Sequence, residues 1–319
     1  MKQNESTVTE FILLGFMDNP DLQVPLFVLF LVIYVATLVG NLGIIIVTSV
    51  DARLHTPMYF FLRNLSIMDI GYSTVVAPKL LTTFLAEKTT ISFKGCTVQL
   101  FFFAIFITTE VCLLAVMAYD RFTAICKPLL YFTVMSRKHC TILVVVVYAC
   151  GFTNSILQTS FIFTLSFCSS NIINHFFCDV PPILKLSCSD THVAHTVHFV
   201  LSTIFGLTTF LIILVSYIAI LFAILRISSA QGRYKAFSTC ASHLTTVTIF
   251  FGAIFFMYVR PGSTFSIDQD KIVSVFYSLV ISFLNPLIYT LRNKDVKDAF
   301  GRTVEKATFF QVRMTFSSQ

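Results

Sequence analysis

The 319-residue chain is 56% hydrophobic and only 12% charged, with a mean hydropathy of +0.82 and a net charge of +6. A soluble domain carries roughly 25% charged residues, so one buried core does not account for this composition. Most of the length lies in apolar blocks of the ~20 residues that a spanning helix needs, too long and too uniform for the short alternating strands of a membrane barrel.

Residues 1–24 are mixed polar, with no basic start followed by an apolar run. No cleavable leader is predicted, and the first span is expected to act as its own targeting signal. Asn4-Glu5-Ser6 is a glycosylation sequon in this segment. Seven apolar blocks follow at about 25–50, 58–81, 96–125, 140–165, 196–226, 237–259 and 271–291. Hydrocarbon offers no partner to backbone N–H and C=O groups, so each block is expected to be a helix. The chain thus divides into an extracellular segment 1–24, an all-α seven-helix membrane domain 25–291 and a cytoplasmic tail 292–319. Fifteen of the 22 Lys and Arg, among them Arg53, Arg121, Arg137, Arg226, Arg233, Lys235, Arg292 and Arg302, fall on one side of this topology. The positive-inside rule puts that side in the cytoplasm and the N-terminus outside. Asn64-Leu65-Ser66 also fits the sequon pattern, but at the cytoplasmic end of the second span.

Ionisable groups inside spans are costly and point to function. Asp69 lies in the second span, Glu110 in the third, and Asp120-Arg121 at the cytoplasmic end of the third. Two buried carboxylates could share a cation or a proton; equally, they could hydrogen-bond to Asn41, Asn285 and nearby hydroxyls. Four of the nine Cys (Cys96, Cys168, Cys178 and Cys188) fall at predicted extracellular positions, where disulfides persist and three connectivities are open. Cys112, Cys126, Cys140, Cys150 and Cys240 read as free thiols. His192, His195 and His198 recur at spacing three, but nothing completes a metal site. Pro286 in the seventh span breaks the hydrogen-bond ladder and is expected to kink the helix beside Asn285 and Tyr289. No HExxH, GxSxG or phosphate-loop pattern occurs, so an enzyme is not expected. On residues alone, a receptor is the favoured reading, and a transporter using Asp69 and Glu110 is the rival.

Several strings then carry a resemblance: Thr56-Pro57-Met58-Tyr59-Phe60-Phe61-Leu62, Met117-Ala118-Tyr119-Asp120-Arg121, Lys235-Ala236-Phe237-Ser238-Thr239-Cys240-Ala241-Ser242-His243-Leu244 and Asn285-Pro286-Leu287-Ile288-Tyr289. In this order they resemble the odorant receptors of the rhodopsin-like G-protein-coupled class, and the 173–179 loop is similar to the tetrapod-type branch. Phe122-Thr123 and Phe283 depart from that pattern, where Tyr-Val and Met are usual. The resemblance implies bridges Cys96–Cys178 and Cys168–Cys188. It implies a switch of Asp120, Arg121, Tyr217, Asn285, Pro286 and Tyr289, and a polar core of Asn41, Asp69 and Glu110 where the family holds sodium; no other cofactor is implied. The pocket is expected in the outer halves of spans three, five, six and seven. From span three it takes Phe103, Ala104, Ile107 and Thr108, and from span five Leu201, Ser202 and Phe205. Phe251, Ile254 and Tyr258 of span six and Val275 and Ser278 of span seven complete it. Phe103 stands where amine receptors carry an Asp. A mostly apolar wall with a few hydroxyls suits small volatile neutral molecules. The implied partners are an odorant and a stimulatory olfactory-type G protein that raises cyclic AMP, with membrane lipid around the spans and no nucleic acid. The implied location is the plasma membrane of olfactory cilia. Asn293 to Phe300 reads as a short amphipathic helix, with Val296, Ala299 and Phe300 on one side.

Overall fold

Where apolar residues run on without interruption the chain is helical, and the ends are set by capping residues. In the computed structural model, α1 spans Pro20–Val50 and α2 spans Pro57–Leu85, each opening on a proline. Proline suits that position because its missing N–H would have no partner there. Ser92 caps α3 (Phe93–Cys126) by accepting from the Gly95 N–H. After a break at Pro128 comes the single turn α4 (Tyr131–Val134), then α5 (Arg137–Phe163), capped by Ser136. A short α6 (Val180–Leu184) precedes the long α7 (His192–Leu225) and α8 (Ala230–Tyr258). The last span joins α9 (Ile267–Val275), a π-helical turn at Phe276–Val280 and α10 (Ile281–Arg292). A further helical stretch covers 295–302.

The structure describes residues 8–16, 20–86, 88–168, 170–258, 267–292 and 295–302, without the side chains of 20, 235, 239, 256–258, 267–270, 291 and 292. Asn4 and the Tyr258 side chain therefore lie outside the described residues.

Among the described residues, five helices are long and apolar enough to cross a membrane, and the two arms of α8, bent by 45°, make a sixth. The seventh, α2, falls short of that apolarity because it carries Arg63, Asp69 and Lys79. It is nonetheless extensively buried, with Asp69, Tyr72, Ser73 and Val76 inaccessible. The most apolar stretch of α3 is 67% buried and that of α1 only 11%, which makes α3 the axle of the bundle and α1 a peripheral helix. Gly40 lets α1 approach the last span closely, since a Cβ there would stand 3.0 Å from the Pro286 ring. Helices also overrun the apolar blocks: α1 starts at Pro20 rather than 25, and α8 at Ala230 rather than 237. A formed helix extends cheaply into polar sequence such as Asp21 or Arg233, because each added residue gains a backbone bond.

One end of the bundle carries a small sheet that the all-helical reading did not include. Strands β1 (Glu10–Leu13), β2 (Thr89–Ser92) and β3 (Ile172–Ile173) lie in the order β2-β1-β3. The β1–β2 pair is antiparallel, with Phe11 opposite Ile91; β1–β3 is parallel. Beneath it Phe11, Leu13, Ile91, Leu100, Ile162, Phe167 and Ile173 form a separate apolar cluster around Cys96 and Cys178.

Candidate functional site

Three layers of polar and aromatic residues run along the bundle. The first lies under the sheet. Cys96 at the start of α3 is bonded to Cys178, with Cα atoms 5.6 Å apart, and Cys168 is bonded to Cys188 at 5.9 Å. Of the three open connectivities, this is the one the resemblance implied. The bridge to α3 pulls the 164–191 loop inward. Gln99 fixes it again by accepting from the Cys178 N–H at 2.9 Å while donating to the Val75 carbonyl. Phe176 and Phe177 are fully buried, and the Phe177 ring centroid lies 4.9 Å from that of Phe103. Phe103 also meets Tyr72 at 5.2 Å and Tyr277 at 6.5 Å.

His175 of the same loop is buried, and Asp179 half-buried, beside the last span. His175 Nε2 lies 3.1 Å from Ser274 Oγ, and the Tyr277 hydroxyl donates to Asp179 Oδ2 at 3.5 Å. Burial pushes the Asp179 carboxyl up to about 6. Burial and the nearby Lys271 charge push His175 down to about 3. Lys271 donates to the Gly15 carbonyl at 2.9 Å, tying the last span to the N-terminal segment.

Below this lid stand the pocket residues expected from sequence. Phe103, Ala104, Thr108, Val275 and Ser278 are buried; Ile107, Leu201, Ser202, Phe205, Phe251 and Ile254 are half-buried. Ser278 donates to the Ser274 carbonyl, while the Phe251 ring meets Phe210 in a tilted pair at 5.5 Å and Phe250 edge-on at 5.6 Å. Thr108 belongs to a polar ladder that crosses three helices. Asn154 Nδ2 donates to Thr108 Oγ1 at 2.7 Å, and Gln158 Nε2 donates to Asn154 Oδ1 at 2.9 Å. His198 Nδ1 lies 3.1 Å from Gln158 Oε1, which can only accept, so the ring N–H donates. Sequence reasoning did not place Asn154 and Gln158 here. Their signal was the pair of amide side chains in α5, spaced at i and i+4 so that they share one helix face.

The middle layer is a buried polar core. Both Asp69 oxygens accept from Asn285 Nδ2 at 3.1 Å, and Asn41 Nδ2 donates to the Ser282 carbonyl at 3.1 Å and the Thr37 carbonyl at 3.0 Å. Glu110 is close enough to interact electrostatically with Asp69. Both Glu110 oxygens, Asn285 Oδ1, Asn41 Oδ1 and Ser282 Oγ are buried without a hydrogen-bond partner. This core is rich in acceptors and short of donors, the arrangement that a hard monovalent cation or a proton would complete. No group of three or more His, Cys, Asp and Glu able to hold a metal occurs among the described residues.

The third layer sits at the opposite end. Arg121 is 6% exposed, with Nε 3.9 Å from Asp120 Oδ2 and Nη2 unpartnered. Asp120 has a closer partner in the Tyr131 hydroxyl of α4, which donates at 2.9 Å. Tyr217 and Tyr289 are both packed into the bundle here, Tyr289 fully buried. His243, part of a quoted string but given no role, bridges Tyr217 of α7 and the Leu114 carbonyl of α3. The 295–302 stretch docks by Arg302 Nη2, 2.6 Å from Asp51 Oδ2, and the Arg302 guanidinium holds the Asp51 carboxyl below its ordinary range. Val296 and Ala299 are buried, and the Phe300 ring lies against Gly43.

Comparison with known proteins agrees across sequence and fold. A family model described as olfactory receptor matches residues 30–306. Olfactory receptor 5AP2 of Mus musculus is 58% identical over 297 residues, 93% of this chain and 94% of that protein. Olfactory receptor 8J1 of Homo sapiens is 56% identical over 301 residues, 94% of this chain and 95% of that one. Among solved structures, squid rhodopsin superposes with a TM-score of 0.72 at 17% identity, covering 91% of this chain and 87% of that one.

Proposed function

The chain belongs to the olfactory receptor family, and on that premise we propose that it detects small, volatile, mostly apolar molecules between α3, α7, α8 and the last span. It is a membrane receptor of the seven-helix G-protein-coupled fold, not an enzyme. The observation that carries the ligand class is the wall around Phe103. Aromatic rings and aliphatic side chains dominate it, and the ladder from Thr108 to His198 is its main polar feature. Such a site gains affinity by burying carbon, at about 25 cal/mol per Å², with a few polar groups fixing orientation. A small odorant then binds modestly, and potencies of about micromolar or weaker are expected.

Signalling is a population shift. An odorant that binds better to the bundle with α8 swung outward favours that state by its differential affinity. That state frees Arg121, with Tyr217 and Tyr289, to meet a stimulatory olfactory-type G protein and raise cyclic AMP. Asn285 and Pro286 give the last span its second packing. Asn41, Asp69, Glu110 and Asn285 would hold a sodium ion in the resting state, where it would neutralise the two acids. Replacing sodium by choline should then raise odorant potency, and Glu110→Gln should remove that dependence.

The excess of basic residues on one side supports a cytoplasmic 295–302 helix and tail and an extracellular Asn4. The receptor is assigned to the plasma membrane of olfactory cilia. The test is cyclic AMP in cells expressing the chain with an olfactory-type G protein, against a panel of volatile compounds. A dose-dependent rise lost in Arg121→Ala supports this reading. A response that survives Arg121→Ala at equal surface expression overturns the mechanism. A glycan-dependent mobility shift lost in Asn4→Gln tests the orientation separately.

A further inference from the structure

At the arginine-rich end, a groove of about 650 Å³ opens on the lipid-facing side between α3 and α7. Phe122 and Ile125 form one wall, Ala219, Phe222 and Ala223 the other, and Arg226 stands at the mouth. Ala219 and Ala223 are four residues apart and share a helix face, so their missing side-chain volume makes the gap. Lys127, the residue after α3, reaches back over the ring of the wall residue Phe122 at 5.6 Å and adds a second cation at the same end of the helices. Arg226 and Lys127 are both exposed, and neither is paired with a carboxylate among the described residues. The groove is thus apolar along its length and cationic at one end.

We propose that this groove binds an anionic phospholipid of the cytoplasmic leaflet, its net negative headgroup held by Arg226 and Lys127 and one acyl chain laid between α3 and α7. An apolar wall alone would not distinguish one membrane lipid from another; the two cations do. Each basic residue near an anionic headgroup favours it by about three- to fivefold, so two give a preference of about ten- to twenty-five-fold over a zwitterionic lipid with the same tails. The groove is also mechanically connected. Phe122 and Ile125 pack on their other side against the cluster of Ile220, Ile224 and Cys240, which seats α7 and α8 against α3. An acyl chain pressed against Phe122 therefore bears on the packing that α8 must leave when the receptor switches. Phe122 stands where the family pattern has Tyr, so the wall carries no hydroxyl in this chain.

The assignment to the cytoplasmic leaflet rests on the orientation proposed above; the lipid chemistry does not, and the experiment keeps them apart. The full chain is reconstituted in phosphatidylcholine nanodiscs carrying a trace of photo-reactive phosphatidylserine, or of phosphatidylcholine with the same reactive acyl chain. Both leaflets hold the probe, so chain orientation does not enter. Mass spectrometry should find phosphatidylserine adducts on peptides from 119–127 and 216–226 at about ten to twenty-five times the phosphatidylcholine level. Ala219→Phe should remove them by filling the groove, and Lys127→Gln with Arg226→Gln should equalise the two lipids. Equal labelling of the unaltered chain by both probes overturns the proposal without reference to any variant. Undiminished labelling of a folded Ala219→Phe chain, or full competition by soluble glycerophosphoserine, overturns it too.

Discussion

Tyr217 on α7 and His243 on α8 are joined by a 2.7 Å hydrogen bond whose direction is fixed by a third group. His243 Nε2 lies 3.1 Å from the Leu114 carbonyl, which can only accept, so Nε2 carries the proton. Nδ1 of the neutral ring is then an acceptor, and the Tyr217 hydroxyl donates to it. One imidazole thereby ties α8 to both α3 and α7 just above Arg121, at the point where α8 must move.

Cutting that tie should raise signalling in the absence of odorant. His243→Phe keeps the ring volume, since the two rings stack at 5.7 Å, and removes both hydrogen bonds. Each buried hydrogen bond is worth about 1 kcal/mol, so losing both shifts a two-state ratio by about 25-fold. Odorant-free cyclic AMP at matched surface expression should rise by about that factor. Tyr217→Phe should show a smaller gain, because it removes one of the two bonds and because the same hydroxyl is proposed to meet Arg121 in the active state. An unchanged baseline for His243→Phe would show that the bridge does not restrain α8.

The two disulfides should differ in their contribution. Cys96–Cys178 closes a separation of 82 residues and both cysteines are fully buried; Cys168–Cys188 closes 20 and both are exposed. In the chain-entropy account the longer loop gains about 1 kcal/mol more, on a base of roughly 2–4 kcal/mol per bridge. Loss of the first also unseats Phe177 from Phe103. Cys96→Ser with Cys178→Ser should therefore lower the melting temperature of the purified receptor more than Cys168→Ser with Cys188→Ser. Equal losses would mean that the loop is held mainly by its apolar cluster.

The spans, the polar residues inside them and the charge asymmetry were legible because lipid imposes a simple rule: long apolar runs become helices and ionisable groups stand out. Pairing across the bundle was partly legible. Asn285 was one of the expected alternatives for Asp69, and it does donate to both carboxylate oxygens. Asp120 lies 3.9 Å from its sequence neighbour Arg121, yet its closer partner is Tyr131, placed by the chain break at Pro128. The sheet was hidden because strands of two to four residues carry too little alternation to read, and β1 finds partners some 80 and 160 residues away. The π-helical turn at Phe276–Val280 left no proline or glycine as a signal.

Two loop groups should make stability depend on pH in opposite senses. Asp179, raised from its ordinary 3.8 to about 6, is destabilising when ionised in the fold. Its contribution is most favourable below about 4 and is lost as pH rises through 6, so acidification from 7 to 4 relieves it. His175, lowered from 6.5 to about 3, must stay neutral beside Lys271. Its contribution is present above 6.5 and is lost as pH falls toward 3. In melting curves between pH 7.5 and 4, Asp179→Asn should remove the acid-side gain and leave the loss. His175→Asn should remove the loss and leave the gain. Parallel pH profiles for all three chains would show that neither group titrates as its burial dictates.

The ladder from Thr108 to His198 should decide which odorants the pocket accepts. Asn154 is its centre, donating to Thr108 and accepting from Gln158. Asn154→Leu keeps the volume but strips both neighbours of a partner, and an unmatched buried polar group costs about 1–3 kcal/mol. An odorant alcohol or ketone that aligns on Thr108 or Gln158 would meet groups no longer held in place, and its potency should fall about tenfold. A hydrocarbon analogue of the same shape gains its affinity from the Phe103 wall and should shift by less than about twofold. The comparison uses dose–response curves for a matched pair of odorants on the two chains at equal surface expression. If both curves move together, the ladder supports the bundle without reading the ligand, and selectivity lies in the aromatic wall alone.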